Sequence, residues 1–529
     1  MRNRNKGAAS APRRLLISAF LCALTAAPAL GQDDAPAVDE GGAQPAATAA
    51  AQKAAEEEPV FSPLPQSEQP VYYRTELSRA QSGTTSALGD VMSSRRLQAA
   101  LGAAGYVPRD TMVFEDLRPP RGLGFRAGPV SFYPSLSAGE TWTSNLYLTK
   151  NDAKSSFMTR AGFGLSMLAP LSRSADHQLL VDYALSGSKS SGSTSYDTIN
   201  QGVNATVALS FPDDLKVRAS AGATYAKTPG DTEDDRGQPF ALGALNASVH
   251  KGLGDLYAVE ASYSRTLQDM LQDEDDADTF TSDTLSFSLL RALSPKTSLV
   301  GNYKVAWTRY KVGDRDNTDQ NVGVGLRWSP RAKWSGGFLI GYEWRDYDKG
   351  SGDTSNLSFS GDVGYEISPK ARTAVRFFRG SQETSDYFDN LPYGNSYVTT
   401  GVTGSLDWLL ASDLQVSTQL SYVNDAYTTP APFAPFSKRN DDLYGLGVSV
   451  THTLPRNVSV GLDFQTSYKE SNISEQGWNN SYGVDGRVGW SNASGQLSVS
   501  LTTGYQQRNY DGPERYVEWH AGLSARYAF

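Results

Sequence analysis

The sequence predicts an all-β fold, a transmembrane antiparallel up-and-down β-barrel of about 20 strands (18–22), preceded by a signal peptide and a largely disordered periplasmic segment. Three observations carry this. From Val130 onward apolar side chains alternate with small or polar ones. Tight turns built on Pro, Asp, Asn and Gly alternate with longer polar connections. The last segment places Val517, Trp519, Ala521, Leu523, Ala525, Tyr527 and Phe529 on one face of a strand.

The chain is read in four parts. Residues 1–31 form a signal peptide: Arg2, Arg4, Lys6, Arg13 and Arg14 supply the basic region, residues 15–27 the apolar run, and Ala29-Leu30-Gly31 the cleavage site before Gln32. That run is too short to span a bilayer. The single cysteine, Cys22, lies inside it behind Phe20 and Leu21, whereas a lipoprotein signal places a small residue there. The mature chain therefore has no disulfide and no cysteine metal site. Residues 32–70, rich in Ala, Pro, Glu and Gln, bury too little apolar surface to offset ordering entropy and are expected to be disordered. Residues 71–128 form a periplasmic segment with one helix over 86–104, where Leu88, Val91, Met92, Leu97 and Leu101 make a rough stripe. Residues 129–529 are the barrel.

Within the barrel, Val203, Ala205, Val207, Leu209 and Phe211 alternate with Gly202, Asn204, Thr206, Ala208 and Ser210. Phe338, Ile340, Tyr342 and Trp344 alternate with Gly337, Leu339, Gly341, Glu343 and Arg345. Successive strand residues point to opposite sides, so one face is apolar and the other polar or small. The strand near Phe240 has the weakest pattern. Nine short turns fall near 172–176, 212–214, 252–255, 294–296, 329–331, 368–370, 412–413, 455–457 and 492–495. Pro presets φ in several, while Asp, Asn and Gly accept the remaining geometry. The longer connections fall near 187–197, 228–238, 267–282, 380–396, 425–441 and 469–480. Nine turns join eighteen strands; one more at 131–143 and one at 515–529 complete the set. Segments of about ten alternating residues match a tilted strand crossing a hydrocarbon layer and exceed the usual soluble strand. Trp328, Trp334, Trp344, Trp408, Trp490, Tyr468 and Tyr505 stand toward strand ends on the apolar phase, where interfacial girdles belong.

Composition fits. Of 529 residues only 39% are apolar, with 49 Gly and 27 Tyr, and mean hydropathy is −0.43. After residue 31 there is no apolar run of about 18 residues, so any membrane crossing is made by strands. The formal charge of −9, with no basic stripe, argues against nucleic-acid binding.

The lead-in LRPPRGLGFRAGPVSFYPSLSAGETWTSNLYLT, residues 117–149, resembles the start of the outer-membrane barrels grouped as Putative beta-barrel porin 2. Gly122, Arg126, Gly128, Pro134, Ser135, Leu136, Gly139 and Asn145 match that pattern, and Ser144 replaces its usual Asp. The resemblance implies an outer-membrane barrel in a family whose members are mostly uncharacterised, some resembling barrels associated with exopolysaccharide export. Tyr527 and the final Phe529 likewise resemble the sorting signal read by the barrel assembly machinery.

The water-facing phase carries both signs of charge. Its basic members are Arg160, Lys216, Arg218, Lys304, Arg327, Arg345, Arg372, Arg376, Arg487 and Arg526. Its acidic members are Asp182, Glu260, Glu343, Asp362, Glu366, Asp463, Asp485 and Glu518. Such residues are costly toward lipid and cheap in a wet lumen, where opposed charges set selectivity; pairing among themselves to fill the barrel is the alternative. The acidic run 268–283 lacks the spacing and Gly of a calcium loop and reads as solvated charge. No catalytic site, cofactor or metal is expected. His177, His250, His452 and His520 are scattered, and no motif supplies the Ser-His-Asn set that a phospholipase would need around His452 and Ser449. The Pro- and Ala-rich composition of residues 32–128 argues against the plug of a TonB-dependent receptor.

The expected function is a porin-like channel for polar solutes in the Gram-negative outer membrane, surrounded by lipid and lipopolysaccharide. The alternatives are an exopolysaccharide export conduit, meeting periplasmic partners through residues 60–128, and a structural or adhesive barrel with a closed lumen.

Overall fold

The computed structural model describes Leu117 and residues 124–529, except 146–152, 173–176, 193–196, 228–238, 272–278, 312–315, 329–332, 349–352, 384–386, 389–390, 393–395, 432–433, 473–477 and 511–515. The expected signal peptide, the disordered segment and the helix over 86–104 lie outside these residues.

Twenty antiparallel strands close into one barrel. The first ten are β1 (Val130–Thr143), β2 (Ser156–Pro170), β3 (His177–Ser190), β4 (Thr198–Phe211), β5 (Leu215–Lys227), β6 (Pro239–Leu253), β7 (Tyr257–Met270), β8 (Phe280–Ser294), β9 (Thr297–Tyr310) and β10 (Asn317–Trp328). The rest are β11 (Trp334–Tyr347), β12 (Thr354–Ser368), β13 (Ala371–Glu383), β14 (Ser396–Ala411), β15 (Leu414–Ala431), β16 (Ala434–Leu454), β17 (Val458–Ser471), β18 (Trp478–Ser491), β19 (Leu497–Tyr510) and β20 (Tyr516–Ala528). Each strand pairs with its neighbours in sequence, and β20 returns to β1 with Leu136 opposite Tyr527, so the sheet has no free edge. Short turns gather at one rim and the longer connections at the other; β1 starts and β20 ends at the turn rim.

Period two survives pairing because register partners share a face. Leu501 lies opposite Val488 and Leu523, all three exposed and apolar. Contacts that skip strands identify the concave side. Arg327 of β10 reaches Glu260 of β7, three strands away, and on the same side Thr143 of β1 donates to Glu518 of β20. The apolar phase therefore faces outward. The aromatics expected as girdles (Trp328, Trp334, Trp344, Trp408, Trp490, Tyr468 and Tyr505) stand on this outward face in the register.

Some boundaries differ from expectation. The first and last strands run Val130–Thr143 and Tyr516–Ala528. The weakly patterned region around Phe240 is the regular 15-residue β6; Phe240 and Leu242 there turn inward, which blurs the alternation. The run 425–441 is mostly strand, since β15 continues to Ala431 and β16 begins at Ala434. This hairpin outruns its neighbours, whose pairing ends at Tyr397 opposite Tyr427 on one side and at Ser471 opposite Asp441 on the other. Gln268–Met270 and Phe280–Asp283 likewise belong to β7 and β8.

The turns keep their expected chemistry. Asp213 and Asp214 take φ of 60° and 54° between β4 and β5, a region Asp enters more readily than most residues. Before β1 the lead-in Phe125–Ala127 doubles back on the strand, with Phe125 opposite Phe132 and the turn made at Gly128. Phe125 stacks on Phe132 with centroids 5.2 Å apart. The Gly124 N–H donates to the Phe529 carbonyl at 2.7 Å, and the Phe529 N–H donates to the Pro134 carbonyl at 3.0 Å. The lead-in thus clasps the seam between β1 and β20. Gly124 has φ of +59°, and a Cβ there would lie 2.7 Å from the Phe132 carbonyl and from the Tyr133 ring. Gly124→Val is therefore expected to release the clasp and lower the temperature at which the folded band is lost in heat-modifiable gel migration.

Candidate functional site: the inner wall

The candidate site is the polar face that the register turns inward. Arg160, Asp182, Lys216, Arg218, Glu260, Lys304, Arg327, Glu343 and Arg345 all stand on it. So do Asp362, Glu366, Arg372, Arg376, Asp463, Asp485, Arg487, Glu518 and Arg526. Beyond these shared positions, the structure gathers them into groups that sequence spacing does not reveal.

Near the turn rim a chain of charges links β10, β7, β6, the turn before β5, and β5. Arg327 forks onto Glu260, Nη1 lying 3.1 Å from Oε1 and Nη2 3.3 Å from Oε2. His250 on β6 lies 3.3 Å from Glu260 through Nδ1 and 3.3 Å from Asp214 through Nε2. Lys216 is 3.4 Å from Asp214. Asp214 lies in the turn. Partial burial alone would raise its carboxyl, but the hydrogen bond to His250 and the Lys216 charge outweigh this and hold it below the ordinary carboxylate range.

A second group crosses β16 to β1. Ser449 donates to Asp463 at 2.6 Å, Arg487 lies 3.4 Å from Asp463, and His520 Nε2 is 2.8 Å from Asp485. Glu518 accepts from Thr143 at 2.8 Å. A third lies toward the loop rim, where Arg439 forks onto Asp441 and covers the Tyr427 ring at 4.5 Å. Lys469 reaches the same carboxylate at 2.9 Å, and Thr399 donates to Asp425 at 2.7 Å. A fourth group, on β9 to β11, contains Lys304, Asp319, Glu343 and Arg345.

Exposure around this wall is uneven. Inward residues of β3 to β7 such as Ala184, Asn204, Asn246 and Thr266 are exposed, as are Ser524 and Arg526 on β20. On β8 to β12 the inward Ser286, Asn321, Glu343, Ser358 and Ser360 are buried, while Glu366 near the turn rim is exposed.

Residues 118–485 match the family described as Putative beta-barrel porin 2. The chain belongs to that family. The porin-family lead-in motif is also the part that forms the seam: Pro134 accepts from Phe529, and buried Asn145 donates through Nδ2 to the Val517 carbonyl at 3.2 Å. Ser144, which stands where the family usually has Asp, accepts from the Trp519 N–H at 2.8 Å through its hydroxyl. Among solved structures, this porin-family chain is similar to the FrpB iron transporter from Neisseria meningitidis (F5-1 variant), at 9% identity and a TM-score of 0.48, covering 75% of this chain and 82% of that one. It is also similar to the siderophore receptor PirA from Pseudomonas aeruginosa, at 13% identity and a TM-score of 0.46, covering 78% and 81%. No curated protein matches it in sequence.

Several inner-wall residues had escaped the sequence reading. Asp319 shares the parity of Arg327 on β10, and Lys469 that of Asp463 on β17, so strict parity alone would have found both. Asp425, Arg439 and Asp441 fall in a run that reads as loop, and His250 and His520 acquire carboxylate partners only through pairing. Ser449 faces inward while His452 faces outward, 3.8 Å from Asp413, so these two do not assemble a hydrolytic pair. Among the described residues no group of three or more His, Cys, Asp or Glu side chains is placed to hold a metal ion.

Proposed function

We propose that this chain is an outer-membrane, porin-like channel that passes polar solutes. The supporting observation is the inward face of β3 to β7, where small or polar Ala184, Asn204, Asn246 and Thr266 are exposed. About 20 strands enclose more room than side chains fill, so a wall of this kind supports a wet passage. The outward apolar phase meets hydrocarbon, and lipopolysaccharide surrounds the loop rim. Purified protein in planar bilayers is expected to give stepwise openings; a silent bilayer at high protein load overturns the proposal. Replacing Lys216 and Arg218 together by Glu is expected to move the reversal potential in a salt gradient toward cation selectivity, because both stand on the inward face of β5.

A second reading, a barrel with a closed lumen, draws on the burial of inward Ser286, Asn321, Glu343, Ser358 and Ser360 on β8 to β12. The same conductance record separates the two.

A further inference from the structure

At the turn rim one imidazole stands between two carboxylates. His250 shares a register row with Lys216 of β5 and Glu260 of β7. Its Nδ1 lies 3.3 Å from Glu260 Oε1, and its Nε2 lies 3.3 Å from Asp214 Oδ2. Three further charges face this row among the described residues: Arg327, forked onto Glu260 from β10; Lys216, 3.4 Å from Asp214; and Arg218, one inward position along β5 and opposite Ser248. The β4–β5 turn leans over β6 at the same place. There the Gly252 N–H donates to the Asp214 carbonyl at 3.2 Å, and Lys251 Nζ donates to the Asp213 carbonyl at 2.8 Å.

Counting protons decides what the ring must be. An ionised carboxylate only accepts, and a neutral imidazole has one N–H to give. Two carboxylates facing the two ring nitrogens therefore need either an imidazolium or a protonated carboxyl. Glu260 is buried, and a proton on it would cancel the charge that Arg327 pairs. Asp214 is half exposed to water and has Lys216 beside it, so it keeps its charge as well. The extra proton belongs to His250. Once the ring is neutral, its single N–H can serve only one side. Buried Glu260 cannot turn to water and retains it, whereas Asp214 then faces a bare lone pair and can turn to solvent.

We infer that His250 is a proton-sensitive latch, whose imidazolium ties the β4–β5 turn to the inner wall of β6, β7 and β10 and whose neutral form lets that turn loosen. The latch is closed where the ring is charged and opens as pH rises through its titration. Opening also removes one positive charge from the inner wall beside Lys216. The effect of that charge on permeating ions rests on the channel reading; the latch itself does not.

The test is an NMR titration of the full chain carrying isotope-labelled histidine, folded in detergent micelles as judged by heat-modifiable migration, with His250→Gln identifying the ring signals. Below the titration both ring nitrogens should carry protons; above it the proton should remain on Nδ1, toward Glu260. Asp214→Asn keeps a residue that accepts the positive φ of the turn, and should lower the midpoint by roughly one unit through loss of one neighbouring charge. Exchange of the Gly252 amide, corrected for base catalysis, should quicken by about tenfold above the titration, the loss of roughly one hydrogen bond, and show no such step in His250→Gln. A neutral ring protonated on Nε2, coincident titrations of wild type and Asp214→Asn, or Gly252 exchange without a step each overturns the inference. Reversal potentials in planar bilayers are scored separately and should move toward cation selectivity over the same pH interval in wild type alone. A Gly252 step in a protein that gives no openings keeps the latch and sinks the channel reading; openings without that step do the reverse.

Discussion

Leu501→Arg is expected to destabilise the barrel in a lipid bilayer by about 2–4 kcal/mol, the cost of a cation facing mid-membrane hydrocarbon. Leu501 stands on the outward face of β19, 51% exposed, with Val488 and Leu523 as register partners. It lies on the outward face between the levels of the girdle residues Trp490, the register partner of Val499, and Tyr505. Ser500→Arg moves the same charge by one residue. Ser500 faces inward and shares a 2.7 Å hydrogen bond with exposed Ser524, so that change should stay within about 0.5 kcal/mol. Urea titrations of both variants in vesicles of one lipid, followed by heat-modifiable migration, give the comparison. Equal effects at the two positions would contradict the assignment of faces and every conclusion that depends on it.

Arg327→Leu is expected to cost about 3 kcal/mol, toward the lower end for breaking a buried ion pair. Glu260 is 4% exposed, and the fork from Arg327 is its strongest charge-assisted partner. His250 stays within 3.3 Å of the same carboxylate, which keeps the loss from being larger. Arg327→Lys retains the charge but not the fork, and should recover part of the stability. Adding Glu260→Gln to Arg327→Leu should restore more, because no buried charge is then left uncompensated. A double-mutant cycle in denaturant isolates the coupling. A coupling near zero would mean that the contact between β7 and β10 contributes little to closing the turn rim.

The strand count and the assignment of faces were legible because one alternation, repeated along the chain, carries both. Pairing adds that adjacent strands keep their phases aligned, as Trp334 opposite Tyr365 and Leu501 opposite Leu523 show. The β15–β16 hairpin was illegible for a physical reason. Beyond Tyr427 the ladder of this hairpin runs between its own two strands, so no neighbouring strand imposes the alternation and the composition turns to that of a loop. The inner-wall partnerships were hidden differently. Glu260 and Arg327 are 67 residues apart and meet only because the sheet curves, and His250 is seen to stand between two carboxylates only when the β4–β5 turn leans over β6. Asn145 fared better, since its motif marked it as important, but its hold on the Val517 carbonyl needed the seam to be closed.

The outgrown hairpin gives the molecule a handle. At its tip Ala431 lies opposite Ala434 with only residues 432–433 between them, so a short epitope inserted there would lengthen a ribbon whose own ladder already runs past those it shares with its neighbours. Labelled antibody added to intact cells should reach such an insertion, which would fix the direction of the barrel in its membrane without disturbing the seam or the inner wall.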